Sequence, residues 1–151
     1  MEPEQKSKLV FEFCQSMYEL KYKLRKVFQA KLKEAGISIS FEVLEIIKLL
    51  QDRDGLNQQE LADLLFKDKS SMTYLIDNMV KAGFVVRKED ETDRRNKLIF
   101  LTEKTHQLRE QLAPLAAGCY LALAADVTDG DIEAATQMMA KMNNSLTAFI
   151  I

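Results

Sequence analysis

Apolar side chains recur at alternating steps of three and four residues near both ends of the chain, the spacing of one helix face. Residues 5–35 contain neither Gly nor Pro and predict one long helix that ends at Gly36. Thr128, with Asp131 three residues on, opens a last helix. The two apolar seams are Val10, Phe13, Met17, Leu20, Leu24 and Val27, then Ile132, Ala135, Met139, Met142, Leu146 and Phe149. These seams favour a shared dimer interface, and the alternative is that they pack on each other within one chain.

The middle of the chain predicts three shorter helices, each opened by a residue of a type that caps helix N-termini. The first is apolar on most sides, so we expect it to be the buried core helix. The second carries Glu60 three residues after its cap, where a carboxylate supports the helix start. Gly83 closes the third. The expected caps are, in chain order, Ser38 or Ser40, Asn57 and Asp68.

Residues 84–87 and 98–101 are rich in β-branched and aromatic side chains and predict two strands of a hairpin, with the charged segment between them as its tip. Thr102 is then expected to cap a long helix that Pro114 and Gly118 bend. The predicted fold class is mainly α with a small β-hairpin wing. Its parts are an N-terminal dimerisation helix (1–36), a winged helix-turn-helix domain (37–102) and C-terminal helices that complete the dimerisation region (103–151).

Composition indicates a folded protein without a membrane span. Of 151 residues, 47% are apolar and 29% charged, which is a globular mixture. No run approaches the ~18 consecutive apolar residues that a span requires. Residues 1–6 are polar and acidic, unlike a secretory signal. The two cysteines, Cys14 and Cys119, lie too far apart to indicate a disulfide framework or a metal site, so we expect a cytoplasmic protein.

Charge is distributed unevenly along the chain. The net charge is −2, yet residues 1–109 carry +2, from 20 basic and 18 acidic side chains. The remainder carries −4, from five acids and Lys141. Basic side chains concentrate in residues 21–33 and 87–97. Such a segment is either a solvated helix face or part of a nucleic-acid interface, and its position in the fold decides between the two.

Catalytic motifs do not occur in this sequence. It holds a single histidine, His106, and five glycines, with no Ser-His-Asp set, no paired carboxylates and no Gly-rich phosphate loop. The seven methionines are expected to fill the core rather than to bind copper. We therefore expect a protein that is not an enzyme and that has neither a cofactor nor a metal.

The order helix, short helix, turn, helix, hairpin over residues 40–101 is that of a winged helix-turn-helix. The helix after Asp68 begins with small hydroxyls and free N–H groups that suit phosphate, and its outer face can reach base edges in the major groove. The hairpin tip brings Arg94 and Arg95 to the neighbouring minor groove, with Asp93 to orient a guanidinium. The predicted DNA-binding residues are Lys69, Ser70, Ser71, Thr73, Tyr74, Asn78, Lys88, Asp93, Arg94 and Arg95.

Residues 57–102 resemble the DNA-binding core of the MarR family of bacterial transcription regulators. The strongest match is Asp93-Arg94-Arg95 followed after five residues by Leu101-Thr102, and 60–62, 72–77 and 83–85 support it. The resemblance implies a homodimer, usually a repressor, that binds a palindromic operator in double-stranded DNA. It also implies that Arg95 enters the minor groove, that Asp93 orients it and that Arg94 lies nearer phosphate.

Two further expectations come from the resemblance. Phe66 stands where a small turn residue is common in the family, so its ring is expected to buttress the turn. A small aromatic or phenolic ligand in a crevice between the core and the dimer helices would release DNA by changing the spacing of the two DNA-reading helices. The expected lining residues of that crevice are Phe13, Met17, Tyr18, Phe41, Leu112 and Leu115.

Two alternatives stay open at the level of sequence. A winged helix can serve as a protein–protein interaction module without binding DNA, and the net negative charge slightly favours this. The second is redox sensing, because Cys14 one turn before Tyr18 resembles the peroxide-sensing branch of the family, where tyrosine hydroxyls hold a reactive cysteine. Phe28 lies where a second tyrosine would be needed, and the other interpretation of Cys14 is a buried small hydrophobe.

Overall fold

The computed structural model describes residues 1–150 and confirms a mainly helical fold with a small antiparallel sheet. The elements are α1 (Pro3–Glu34), α2 (Phe41–Asp52), β1 (Leu56–Asn57), α3 (Gln58–Leu64), α4 (Lys69–Lys81), β2 (Val85–Glu89), β3 (Lys97–Leu101), α5 (Glu103–Gln107), α6 (Arg109–Leu123) and α7 (Asp129–Thr147). The chain divides into two compact units, Met1–Ala116 and the residues from Ala117 on. None of the helices in residues 1–150 is long and apolar enough to cross a membrane.

Helix α1 is the long N-terminal helix that the apolar seam predicts. It ends as expected, because Gly36 adopts the left-handed conformation (φ 69°) just beyond it. Only its C-terminal part is buried, at Phe28 and Leu32. The Phe28 ring packs on Phe41 of α2 with centroids 5.2 Å apart. The remainder of α1 therefore leaves most of its apolar seam uncovered in the single chain.

Helix α2 is the core helix, as its sequence predicts. Its N-cap is Ser40, whose hydroxyl accepts a hydrogen bond from the backbone N–H of Val43. The core around it is closed by apolar side chains of every neighbouring element. Its fully buried members include Leu44, Ile46, Ile47, Leu50, Leu56, Leu61, Met72, Ile76, Met79 and Ile99. This packing fixes α3, α4 and the sheet in one rigid arrangement.

The sheet has three strands in the order β1-β3-β2, not the two of the predicted hairpin. Leu56 and Asn57 of β1 pair with Ile99 and Leu98 of β3. A two-residue strand carries no periodicity, so the sequence gives no signal for it. Gly55 makes this pairing possible, because it has φ 81° and a Cβ there would lie 2.8 Å from the Phe100 ring.

The helix after the wing differs from the prediction. Thr102 stands at the N-cap position of α5, but its side chain makes no cap hydrogen bond. Its hydroxyl instead donates to the carbonyl oxygen of Gly83 at 2.7 Å, and that of buried Thr105 donates to the carbonyl of Phe84 at 2.7 Å. These bonds hold the base of the wing to α5. The predicted single helix is broken at Leu108 into α5 and α6.

Helix α7 opens with the cap that the sequence predicts. The Thr128 hydroxyl accepts from the backbone N–H of Asp131, and the Asp131 carboxylate accepts from the backbone N–H of Thr128. The Thr128 hydroxyl also donates to the Asp131 carboxylate at 2.7 Å, and this bond is the main cause that holds the pKa of Asp131 below its ordinary value. None of the α7 residues is buried.

Candidate nucleic-acid interface

Helices α3 and α4 form a helix-turn-helix whose two starts are capped as predicted. Asn57 and Glu60 form a capping box. Asn57 Oδ1 accepts from the backbone N–H of Glu60, and Glu60 Oε2 accepts from the backbone N–H of Asn57, both at 2.9 Å. Asp68 caps α4 and accepts from both the backbone N–H (2.8 Å) and the hydroxyl (2.7 Å) of Ser71. These bonds hold the pKa of Asp68 below its ordinary value, and the bond from the Ser71 hydroxyl has the largest effect.

The turn between the two helices corrects one expectation. Phe66 does not buttress the turn, because its side chain is 94% exposed. It is the only described non-glycine residue with positive φ, at 53°. The backbone N–H of Lys67 donates to the carbonyl of Ala62 at 2.9 Å, a bond that closes the C-terminal end of α3. In helix ends of this kind glycine usually occupies the left-handed position, which is Phe66 here. The ring therefore faces solvent at a left-handed helix end.

Most of the residues predicted for base contact lie on the open face of α4. Lys69, Ser70, Ser71, Tyr74 and Asn78 are exposed, whereas Thr73 is half-buried. The opposite face of α4 packs into the core through Met72, Ile76 and Met79. The helix therefore presents a continuous polar surface next to the wing, by which we mean β2, β3 and the connecting residues 90–96.

Arg87 joins the wing to the helix-turn-helix. Its Nη2 donates to Asp77 of α4 at 2.6 Å, and its Nε donates to Oε1 of Gln58 at 3.0 Å. Gln58 Nε2 in turn donates to the Thr73 hydroxyl at 3.2 Å. This network was not predicted, because Gln58 and Arg87 lie 29 positions apart and no spacing rule connects them. It sets the orientation of the wing relative to α4.

The tip of the wing is shaped by side chains that bond to nearby backbone. Asp90 accepts from the backbone N–H (2.9 Å) and hydroxyl (2.7 Å) of Thr92, and the latter bond is the main cause of the lowered pKa of Asp90. Asp93 accepts from the backbone N–H of Arg95 at 3.0 Å. Oδ1 of Asp93 thus shapes the turn, and the expectation that this carboxylate orients an arginine guanidinium stays a prediction. Arg94 and Arg95 are exposed.

A groove of about 360 Å³ separates the tip from the starts of α3 and α4. Lys69 and Arg95, predicted from opposite ends of the motif, both line it. Three lining residues are cations, four are amides and none is acidic: Lys69, Arg95, Lys97, Asn57, Gln58, Gln59 and Asn96. Lys97 also bonds to Glu89 across the two strands at 2.7 Å, and this bond lowers the pKa of Glu89. The groove therefore offers cationic and amide side chains, with no acid among its lining residues, on a surface suited to an anion.

Lys88 lies elsewhere on the wing. Its ammonium group stands over the Phe100 ring, 4.8 Å from the centroid, and it is not among the residues that line the groove. The amide residues Gln58, Gln59 and Asn96 do line it but were not predicted. Two glutamines at a helix start do not by themselves predict a binding site. Whether their side chains line the groove depends on where the wing lies.

The predicted ligand crevice is only partly assembled. Tyr18 and Phe41 line a cavity of about 250 Å³ together with Lys21, Tyr22, Arg25, Glu42, Glu45, Leu65 and Lys67. Phe13, Met17 and Leu115 are half-buried and Leu112 is buried, and none of these four lines that cavity. Burial raises the pKa of Glu45 above its ordinary value, although the nearby Lys21 and Lys67 oppose this.

Cys14 is half-buried on α1, whereas Tyr18, one turn further on, is 73% exposed. Phe28, at the position of the missing second tyrosine, is fully buried against Phe41.

Among residues 1–150, no group of three or more His, Cys, Asp or Glu side chains is placed to hold a metal ion.

Comparison with known proteins gives one family. The model of the MarR family matches residues 40–97. The HTH-type transcriptional regulator SarZ of Staphylococcus epidermidis is 25% identical over 109 residues, which cover 72% of each chain. SarZ of Staphylococcus aureus is 26% identical over 105 residues, covering 70% of each.

Solved structures agree with these matches. A MarR transcriptional regulator from Methanosarcina mazei Go1 superposes with a TM-score of 0.77 at 26% identity, over 90% of this chain and 97% of that one. A mutant MarR from E. coli, solved in complex with operator DNA, gives 0.79 at 18% identity over 88% and 94% of the two chains, a likeness of fold. The matched segment contains the capped helices, the groove and most of the wing, and together these matches support a winged-helix transcriptional regulator of the MarR family.

Proposed function

We propose that this protein binds a palindromic operator in double-stranded DNA as a homodimer and acts as a repressor. The observation that carries the proposal is the groove, which places cations of α4 and of the wing tip on one acid-free surface. In this arrangement α4 enters the major groove, its N-terminal N–H groups and Lys69 approach phosphate, and Arg95 enters the adjacent minor groove. The E. coli protein of the same fold was solved in complex with operator DNA, and this supports DNA as the ligand.

Exposed apolar side chains support the homodimer. In α1, Leu9, Val10, Phe11 and Leu20 are between 41% and 62% exposed, and in α7 and just beyond it Leu146 and Phe149 are 58% and 80% exposed. Apolar surface of this extent on two long helices is unfavourable in water and is covered by a second copy. A twofold pair would separate the two α4 helices by roughly 34 Å, one turn of DNA.

Ligand control of this dimer is the finer part of the proposal. A small aromatic acid in the cavity next to Tyr18 and Phe41 would place its carboxylate near Lys21 and Lys67 and its ring against the aromatic side chains. The cavity lies between α1 and the core of the same unit. A ligand that prefers one α1 orientation would therefore change the spacing of the two α4 helices and release DNA.

Binding to DNA selected from a random pool tests the proposal. The wild-type protein is expected to select a palindromic sequence and to bind it tightly at low salt. Arg95→Ala is expected to weaken binding at least ~10-fold, whereas Arg109→Ala, which removes an exposed arginine of α6 outside the groove, leaves binding nearly unchanged. Failure of the wild type to bind any duplex at low salt would refute DNA recognition and favour a protein–protein interaction module.

A further inference from the structure

Two hydroxyl groups of α4, those of Ser71 and Thr73, have protons whose positions follow from their hydrogen-bond partners. A serine or threonine hydroxyl has one proton to donate and two lone pairs that accept. Hydrogen positions follow from the bonding partners whenever each partner can play only one role. Three of the partners around Ser71 and Thr73 are of this kind: the Arg87 guanidinium, a backbone carbonyl and an ionised carboxylate.

Arg87 fixes the orientation of Gln58. A guanidinium only donates, so the atom of Gln58 that lies 3.0 Å from Arg87 Nε must be the amide oxygen. The amide nitrogen then lies on the other side, 3.2 Å from Thr73 Oγ1, and it can only donate. The ion pair of Arg87 with Asp77 holds the guanidinium in this position. Thr73 therefore accepts a hydrogen bond from Gln58.

The proton of Thr73 is used inside its own helix. Thr73 Oγ1 lies 2.9 Å from the backbone carbonyl oxygen of Lys69, which can only accept. Thr73 consequently donates to Lys69 and accepts from Gln58. A single lone pair, and no proton, is left for a ligand.

The Ser71 hydroxyl also has its proton engaged, by a different partner. Its hydroxyl lies 2.7 Å from Oδ2 of Asp68, the N-cap of α4. The pKa of Asp68 is held below its ordinary value, so this carboxylate is ionised near neutral pH and only accepts. Ser71 therefore donates its proton to Asp68 and offers only lone pairs outward.

We propose that Ser71 and Thr73 act on DNA only as hydrogen-bond acceptors, so that they select bases whose major-groove edge carries an amino group. Adenine N6 and cytosine N4 donate in the major groove, whereas guanine O6 and thymine O4 at the equivalent places accept. At the positions that these two residues contact, adenine is thus preferred to guanine and cytosine to thymine. This specificity rule rests on the proposed DNA-binding function.

Selection from a random pool by the full-length wild type, Thr73→Val and Ser71→Ala tests the rule. Valine keeps the shape of threonine without its oxygen. The operator position whose preference relaxes in each variant identifies the contacted base. We expect adenine or cytosine there in the wild-type selection. Replacing that base by an analogue that lacks the exocyclic amino group is expected to weaken wild-type binding ~5- to 10-fold and to leave the binding of the matching variant unchanged.

Each other outcome overturns the rule. Guanine or thymine as the contacted base, an analogue that binds the wild type as well as the natural base, or a Thr73→Val variant with unrelaxed preference would each contradict it. Failure of the DNA-binding proposal is seen separately, because the wild-type protein would then select no sequence at all. Circular dichroism of both variants shows whether they fold.

Discussion

Lys69 at the start of α4 and Arg95 at the tip of the wing line the same groove, although 26 positions separate them in the sequence. Their side chains approach from two elements that the core and the Arg87 network hold in place. Both charges therefore lie on one surface, and the overall charge of −2 does not describe the local charge of that surface.

Removing the charge of Lys69 should change the salt dependence of binding. Each cation placed on phosphate releases about one counterion, so Lys69→Gln is expected to reduce the slope of log K against log salt by about one. Fluorescence anisotropy over a salt series measures this slope. Lys6→Gln, a lysine near the start of α1 outside the groove, serves as the matched control, and an unchanged slope in Lys69→Gln would place Lys69 away from the DNA.

Arg87 is expected to hold the wing against α4. Arg87→Met retains the aliphatic stem but removes the hydrogen bonds to Asp77 and Gln58. Since the pair is partly exposed, the loss of unfolding free energy should be only about 1 kcal/mol. Hydrogen exchange of the backbone amides in β2 and β3 should nevertheless accelerate in the variant. Unchanged exchange there would show that packing alone fixes the wing.

Gly55 and Gly36 make a matched pair of sites with left-handed backbone. A Cβ on Gly55 would lie 2.8 Å from the Phe100 ring, whereas one on Gly36 meets nothing within 4 Å. Gly36→Ala should cost about 1 kcal/mol of unfolding free energy from backbone strain alone. Gly55→Ala adds the clash and should cost about 2–3 kcal/mol. Equal costs in urea unfolding would mean that the ring moves aside freely.

Several of these features follow from the sequence and others do not. The structure confirms the predicted helix starts at Ser40, Asn57, Asp68 and Thr128. The sequence can predict them because a capping hydrogen bond joins residues only three positions apart. Strand β1, the break at Leu108 and the Gln58–Arg87 contact depend on chain segments that meet only in the folded protein. Local patterns therefore predict the elements, and their packing decides which side chains share the groove.

The turn and the wing tip show where residue type alone is an insufficient guide. Residue type predicts that the Phe66 ring buttresses the turn and that the Asp93 carboxylate orients a guanidinium. In the structure Phe66 occupies a left-handed helix end and its ring is exposed, so its predicted role is wrong. Asp93 accepts from a backbone N–H, and its role toward an arginine stays a prediction. Residue type alone could not separate these roles.

The stability of α4 should depend on pH through Asp68. Its pKa is lowered in the folded chain by the bonds from Ser71, so ionisation favours folding above about pH 4, and this contribution is lost as pH falls through the lowered value. Asp68→Asn retains a capping residue but cannot titrate. The difference in unfolding free energy between wild type and Asp68→Asn should thus shrink as pH falls below 4. A difference that stays constant from neutral pH to pH 2 would contradict this.

Hydroxyl-radical footprinting of the selected operator tests most directly whether two subunits bind successive grooves of one duplex. The account predicts twofold-related protections centred about one helical turn apart, flanked by minor-groove protections that disappear in Arg95→Ala. A single unpaired protected region, or flanking protections that persist unchanged in Arg95→Ala, would contradict it.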